Sequence, residues 1–280
     1  MNRKFKYIPE EYWERRLAGN FTLGGVGNLS FGTEYNKWLY RARIRTLKRL
    51  LNKNKIDLRG KRLLEIGSGT GFYIDYWKRW GISDLTGIDI TQKSVKELSK
   101  KYPELRFIKE DIASKVLSFE GKFDIITIFD VLFHIVDEEK FNQVIKNLKK
   151  FSHQGTLIFI TDCFLSNDFY FKQSHVKIRS LNRYLEALKI NEIKVIEIRP
   201  TFYFMSNPID RYPIKNIFMR KIIFYNWLFI SKAIWLFNKL GCLGKMINFI
   251  IGASLYYLDG IILKYRKEGP SDKLMLAEKL

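Results

Sequence analysis

Between Leu63 and Tyr73 the chain reads LLEIGSGTGFY, an apolar run that ends in glycines at every second position, Gly67, Gly69 and Gly71. A buried strand that breaks into such a turn brings bare backbone against a ligand, because glycine alone combines easy access to positive φ with the absence of a Cβ. The ligand expected at such a turn is a nucleoside. A dinucleotide fingerprint, G-x-G-x-x-G, would carry its last glycine at position 72, where this chain has Phe72, so the spacing argues against that class.

Glu65 stands two residues before the first glycine, and the pattern becomes E-x-G-x-G-x-G. It closely resembles motif I of the class I S-adenosylmethionine-dependent methyltransferases. The resemblance implies an α/β fold with a doubly wound, seven-stranded, mostly parallel Rossmann-like sheet. It also implies S-adenosyl-L-methionine as cofactor, held by Glu65, Gly67, Ser68, Gly69 and Gly71.

Four further apolar runs support that implication. GFYIDYWKRW has a helical pattern closed by Gly81, and a second strand over 84–90 (DLTGIDI) brings Asp89 to its end. A carboxylate about twenty residues beyond the glycine turn is placed to accept from a ribose diol, with Ile90 beside it. The other reading of Asp89, a cap for the helix starting near Gln92, is a job Thr91 can do. A third stretch, 105–109, is followed by Asp111 and Ile112; in the resembled family these positions accept from the adenine amino group and pack on the ring.

The fourth and most apolar run, FDIITIFDVLFHI over 123–135, resembles motif IV and the short helix after it. The resemblance aims Asp130 at the cofactor's amino group. A helix over 138–151, a turn at Gly155 and a fifth strand over 156–162 complete the repeat of strand, helix, strand. The resemblance covers roughly residues 61–165. Beyond it, a helix over 175–189 and a strand over 191–200 are expected, and 201–206 is read as the seventh, antiparallel strand.

We read four segments: an N-terminal helical lid (1–59), the cofactor-binding domain (60–207), a basic apolar helical extension (208–267) and a polar tail (268–280). In the first, glycines interleaved with Val26, Leu29 and Phe31 suit a loop that closes over a site, and Tyr12, Trp13 and Tyr35 are candidate walls for lid or substrate. The plainer reading packs these aromatics as ordinary core. The extension, 217–263, is strongly apolar, but lysines and Asp259 interrupt it, so neither half is read as a membrane span. Across 211–267 ten Lys or Arg face Asp259 alone. Such helices fit an anionic membrane surface, a helical cap or a dimer interface.

Methyl transfer from a sulfonium is an in-line displacement whose thioether leaving group needs no proton, so a base matters only for an acceptor that must lose one. His134, just past the fourth strand, is the candidate. Two cysteines, Cys163 and Cys242, make neither a disulfide framework nor a metal cluster, and no metal is expected. The N-terminus lacks the apolar centre of a secretory signal, which places the chain in the cytoplasm, with a peripheral position on the inner membrane face open to it.

The expected acceptor is a small molecule, lipid or glycan. A net charge of +20 keeps an RNA methyltransferase as the alternative. Against nucleic acid, position 130 opens Asp-Val-Leu rather than an Asn- or Asp-Pro-Pro-aromatic motif. A catalytically silent cofactor-binding scaffold at the membrane is the alternative of another class.

Overall fold

The apolar runs form one seven-stranded sheet in a computed structural model that describes residues 7–167, 171–172 and 175–280. Residues 1–6 of the expected lid segment lie outside the described residues. The strands β1 (Arg62–Ile66), β2 (Asp84–Asp89), β3 (Arg106–Lys109), β4 (Phe123–Phe129) and β5 (Ser152–Asp162) are parallel, in the order β3-β2-β1-β4-β5. Successive side chains on a strand point to opposite faces, so each strand feeds two cores. Leu64, Ile66, Ile126, Ile128 and Ile158 pack against α6 (Glu138–Phe151) and α7 (Leu181–Ile190). Leu63, Leu85, Ile125 and Phe159 pack under α3 (Gly32–Lys53), α4 (Ile74–Arg79) and α5 (Gln92–Lys101).

Two shorter helices, α1 (Pro9–Gly19) and α2 (Leu23–Val26), precede α3, and a two-stranded ladder of β6 (Phe171–Lys172) and β7 (Lys177–Ile178) precedes α7. The helix expected over 175–189 starts only at Leu181, where Ser180 caps it by accepting from the Arg183 N–H. Gly155 does not separate helix from strand. β5 begins at Ser152, paired with Phe123, and Gly155 lies within it beside a register irregularity.

The larger correction concerns the end of the sheet. Residues 201–206 form no strand; the seventh strand is β9 (Lys273–Lys279), from the segment read as a polar tail. It inserts antiparallel between β5 and β8 (Ile193–Pro200) and buries Leu274, Met275, Leu276 and Ala277. The sheet unit therefore does not close at 207. Its last strand lies beyond the helical extension, where pairing on both edges and the burial of four apolar side chains hold it.

That extension is a hairpin of α8 (Ile217–Phe237) and α9 (Gly241–Tyr265). By length and composition α9 does reach the requirement of a membrane span, contrary to the reading from the interrupting charges. Its packing explains the charge: Asp259 is fully buried and accepts from the N–H groups of Tyr203 (2.8 Å), Phe204 (2.8 Å) and Met205 (3.3 Å). Arg49 donates to the Gly260 carbonyl at 3.2 Å, and Arg45 reaches the Tyr256 carbonyl, which ties α9 to α3.

Replacing Asp259 by Ala leaves three backbone donors without their acceptor, at about 1–3 kcal/mol for each that water cannot reach. We expect Asp259→Ala to lower the urea-unfolding free energy by roughly 3 kcal/mol, and Asp259→Asn, which keeps one acceptor oxygen, by about half as much.

Candidate cofactor and active site

The glycine turn leaves β1 and is pinned to the end of β2: Gly67 N–H and Ser68 N–H both donate to the Ile88 carbonyl, at 2.8 and 3.1 Å. Gly67 and Gly69 have φ of +78° and +51°. A Cβ on Gly67 would lie 2.4 Å from Val131 Cγ2, and one on Gly69 would lie 3.1 Å from Val26 Cγ1. Both positions thus need glycine for conformation and for space.

Asp89, at the end of β2, holds this turn. Its Oδ2 accepts from Gly69 N–H (2.8 Å), and its Oδ1 accepts from the N–H (2.9 Å) and hydroxyl (2.7 Å) of Thr91. Burial raises its pKa, and these three donors work against the rise. Thr91, not Asp89, caps α5 by accepting from Ser94 N–H, and Asp89 holds that cap in place.

The turn borders a cavity of about 500 Å³ at the carboxyl ends of β1, β2 and β4 and the segment after β3. That is within the range of about 300–1,000 Å³ typical of small-molecule sites, and it lies where open α/β sheets bind ligands. Gly67, Ser68, Gly69, Asp89, Ile90, Asp111, Ile112, Asp130 and His134 all line it. Asp111 also receives the Ala113 N–H at 2.9 Å.

Glu65 and Gly71 do not line the cavity. Glu65 lies under the turn, fully buried, and accepts from Trp77 Nε1 at 2.9 Å. Burial pushes its pKa up to about 8, so it is largely protonated at neutral pH. Gly71, at φ +74°, admits the close approach of Leu98; a Cβ there would meet Leu98 Cδ2 at 2.5 Å.

The N-terminal segment supplies one wall, through Tyr7, Pro9, Trp13, Leu17, Val26 and Tyr40. Of the three candidate aromatics only Trp13 lines the cavity. Tyr12 turns away to stack on His175 at 5.0 Å between centroids, since neighbours on a helix point about 100° apart. Tyr35 is buried in a separate core, where its hydroxyl donates to the Met205 carbonyl at 2.8 Å. The periodicity of α3 turns Tyr40 to the cavity instead. Two ties fix α1 in place: Glu14 accepts from Gln92 N–H (2.7 Å) and Lys93 N–H (3.1 Å) at the start of α5, and Glu10 pairs with Lys109 at 2.6 Å.

His134 follows β4 in a short 3₁₀ turn, with the Trp13 ring edge-on at 4.8 Å. Its Nδ1 lies 2.9 Å from the His175 carbonyl, which makes Nδ1 the protonated nitrogen and leaves Nε2 as an acceptor. Burial pushes its pKa down to about 3, so the ring stays neutral across the physiological range. Asp130 sits at φ +59°, a conformation that aspartate tolerates, with Arg43 Nη2 at 2.9 Å and the Thr161 hydroxyl donating at 2.9 Å. Arg43, Tyr40, Tyr7 and Tyr73 escaped the sequence reading. They sit on helices and flanking turns whose periodicity says that a face is buried and not what it meets.

Comparison with known proteins bears on this geometry. A family model described as a methyltransferase domain matches residues 63–155. The chain is 26% identical over 170 residues to the tRNA U34 carboxymethyltransferase of Campylobacter hominis, covering 54% of this chain and 58% of that protein. It is 29% identical over 89 residues to a ubiquinone biosynthesis O-methyltransferase of Psychrobacter cryohalolentis, covering 30% of this chain and 34% of that protein. The chain thus spans less than two thirds of the length of these relatives. Among solved structures, the magnesium protoporphyrin IX methyltransferase of Synechocystis with bound S-adenosylhomocysteine is similar in fold, with a TM-score of 0.54, 14% identity and 97% of each chain covered. The motif, the seven-stranded sheet and the matched family model agree: residues 63–155 form a methyltransferase domain of the class I, S-adenosylmethionine-dependent kind.

Proposed function

We propose that this protein transfers a methyl group to a small-molecule, lipid or glycan acceptor that it meets at a membrane surface. The observation that carries the transfer is the single cavity shared by the glycine turn, the Asp89 and Asp111 carboxylates, and a wall of aromatic rings. S-adenosylmethionine, when bound, supplies a methyl group on an electrophilic sulfonium.

The chain's own residues bind and orient. The backbone of Gly67, Ser68 and Gly69, which lines the cavity, would hold the cofactor. Asp89 keeps lone-pair capacity on Oδ2 and would accept from a ribose hydroxyl, Asp111 and Ile112 would meet the adenine, and Asp130, paired with Arg43, would accept from the amino group. Trp13, Tyr40, Tyr73 and His134 leave an apolar space for the acceptor and exclude water. Alignment of a nucleophile with a reacting carbon is worth up to roughly 7–11 kcal/mol of barrier. His134 Nε2 is suited to accept a hydrogen bond from an acceptor hydroxyl and so orient it. A ring this hard to protonate is a weak reservoir for the proton itself.

An RNA acceptor has the +20 charge and the similarity to a tRNA-modifying enzyme in its favour. The apolar, aromatic lining and the concentration of unpaired basic residues on the hairpin favour the first reading. A binding-only role is distinguished by cofactor affinity without turnover.

The deciding experiment incubates the purified protein with methyl-labelled S-adenosylmethionine and separate lipid, polar-metabolite and RNA extracts. Label is expected in the lipid or metabolite fraction; label in RNA alone, or none despite measurable cofactor binding, overturns the assignment. Gly69→Leu forces a branched side chain into positive φ beside Val26, and calorimetry is expected to show at least a hundredfold weaker cofactor binding while the circular dichroism spectrum is kept.

His134 gives a pH prediction. Its folded pKa lies below the unfolded value of about 6.5, so the unfolded chain binds the extra proton between these limits. The stability due to the neutral ring is fully present above about pH 6.5 and is lost as pH falls toward 3. In NMR the His134 ring signals are expected to stay constant from pH 8 to pH 5, while those of an unfolded-state histidine titrate.

A further inference from the structure

In the α8–α9 hairpin both helices expose a large apolar face, and α9 is built inside out. A helix on the surface of a water-soluble domain normally turns its large apolar stripe inward and its small and polar residues outward. On α9 the buried stripe is Gly244, Asn248, Gly252, Asp259, Gly260 and Leu263, while Leu243, Met246, Ile250, Tyr257, Ile261 and Tyr265 are exposed. The exposed set recurs at helical spacing and so forms one face. α8 buries Ile223, Trp227 and Ile234 on one side and still exposes Phe218, Tyr225, Phe229 and Leu236 on the other, with Phe229 75% exposed.

The glycines are there for close approach. A Cβ on Gly252 would lie 2.5 Å from Trp38 Cδ1, and one on Gly260 would lie 2.6 Å from Arg45 Nη1. Small residues at the contact and large apolar residues outside are the packing rule of helices whose outer face meets lipid.

The charge on this element points the same way. Of the ten basic residues in 211–267, Arg211, Lys215, Lys221, Lys232, Lys239, Lys245, Lys264, Arg266 and Lys267 are exposed. Among the described residues none of the ten has an acidic partner within ion-pair distance, since Asp259, the one acid of the segment, is buried. Lys239 lies 3.5 Å over the Trp235 ring, an amphipathic pair at the hairpin turn. A second copy of this chain would offer the same positive, apolar face, and like charges would oppose pairing. A nucleic acid would meet the cations but not the large apolar side chains between them.

We infer that the outer face of the α8–α9 hairpin seats on an anionic lipid bilayer, its Phe, Leu, Ile and Tyr side chains entering the interface and its Lys and Arg side chains meeting the headgroups. Helices of 21 and 25 residues, about 30–40 Å long at 1.5 Å per residue, lie along the surface rather than across it, because Asp259 and the Arg45 and Arg49 bonds hold α9 against α3. The inference deepens the membrane part of the proposed function. Its test is read without catalysis, so it fails or stands separately from the methyl-transfer reading.

The test is sedimentation of the full chain with vesicles of phosphatidylcholine alone and of phosphatidylcholine with one-third phosphatidylglycerol. We expect at least tenfold stronger partition onto the anionic vesicles, weakened by high salt. The double variant Phe229→Glu/Ile261→Glu changes only exposed positions. It is expected to lose at least tenfold in partition while keeping the melting temperature and the cofactor affinity of the parent. Lys221→Glu/Lys232→Glu/Lys239→Glu is expected to abolish the preference for anionic lipid. Equal partition onto both vesicles overturns the inference. So does a stable dimer in ultracentrifugation that the first variant dissociates, or tighter binding to a single-stranded RNA oligomer than to anionic vesicles.

Discussion

One strand pairing organises the molecule: β9 lies between β5 and β8 and is hydrogen-bonded along both edges. A strand in that position must be present for the sheet to close, and it comes from the last residues of the chain. Everything from 201 to 272 is therefore an excursion that leaves the edge strand β8 and returns as the inner strand β9 beside it. Both ends of the excursion meet where Thr201 N–H donates to the Asp272 carbonyl at 2.9 Å. The helical hairpin is thus fixed at two points in the sheet and cannot swing as a free tail would. Asp259 adds a third, by holding the backbone of 203–205.

A second hub lies at the carboxyl end of β4, beside the same junction. Arg43 on α3 sits 2.9 Å from Asp130 and 3.5 Å from Asp272, so one guanidinium links the cavity wall to the start of β9. Buried carboxylates are tolerable only when paired or protonated. The site uses both solutions: Asp130 has Arg43, Asp89 has three donors, and Glu65 is held largely neutral beneath the glycine turn. The negative charge that remains faces the cavity from Asp89, Asp111 and Asp130, on the side where a cationic cofactor would lie.

The hairpin and the cavity also touch through the N-terminal segment. Asn238 at the hairpin turn donates to the Ser30 carbonyl at 2.7 Å, and Trp227 packs edge-on against Phe31 at 5.5 Å. The glycine-rich loop on the other side of Phe31 carries Val26, the residue facing Gly69. The element that faces outward with apolar and basic side chains therefore contacts Ser30 and Phe31, four and five residues beyond the Val26 that borders the glycine turn.

Much of the sheet was legible in the chain because local periodicity and local turn chemistry decide it. The runs at 63–66, 84–89 and 123–129, the carboxylates that follow them and the glycine turn all depend on neighbours within a few residues. So do the 138–151 helix and its Asp137 cap. What the sequence could not decide were relations between distant segments. LMLAEK reads as a polar tail until β5 and β8 flank it, and Tyr35 reads as a cavity wall until the phase of α3 is set by packing on both the sheet and α9. Asp259 reads as a charge that interrupts an apolar helix until three N–H groups from residue 203 onward are brought to it. By itself the sequence determined the strand-and-turn grammar and most of the residues that the glycine turn and strand ends bring to the cavity. Only the tertiary structure decided the strand insertion, the true cavity wall and the outward apolar face, because burial and hydrogen-bond satisfaction there depend on residues more than fifty positions apart.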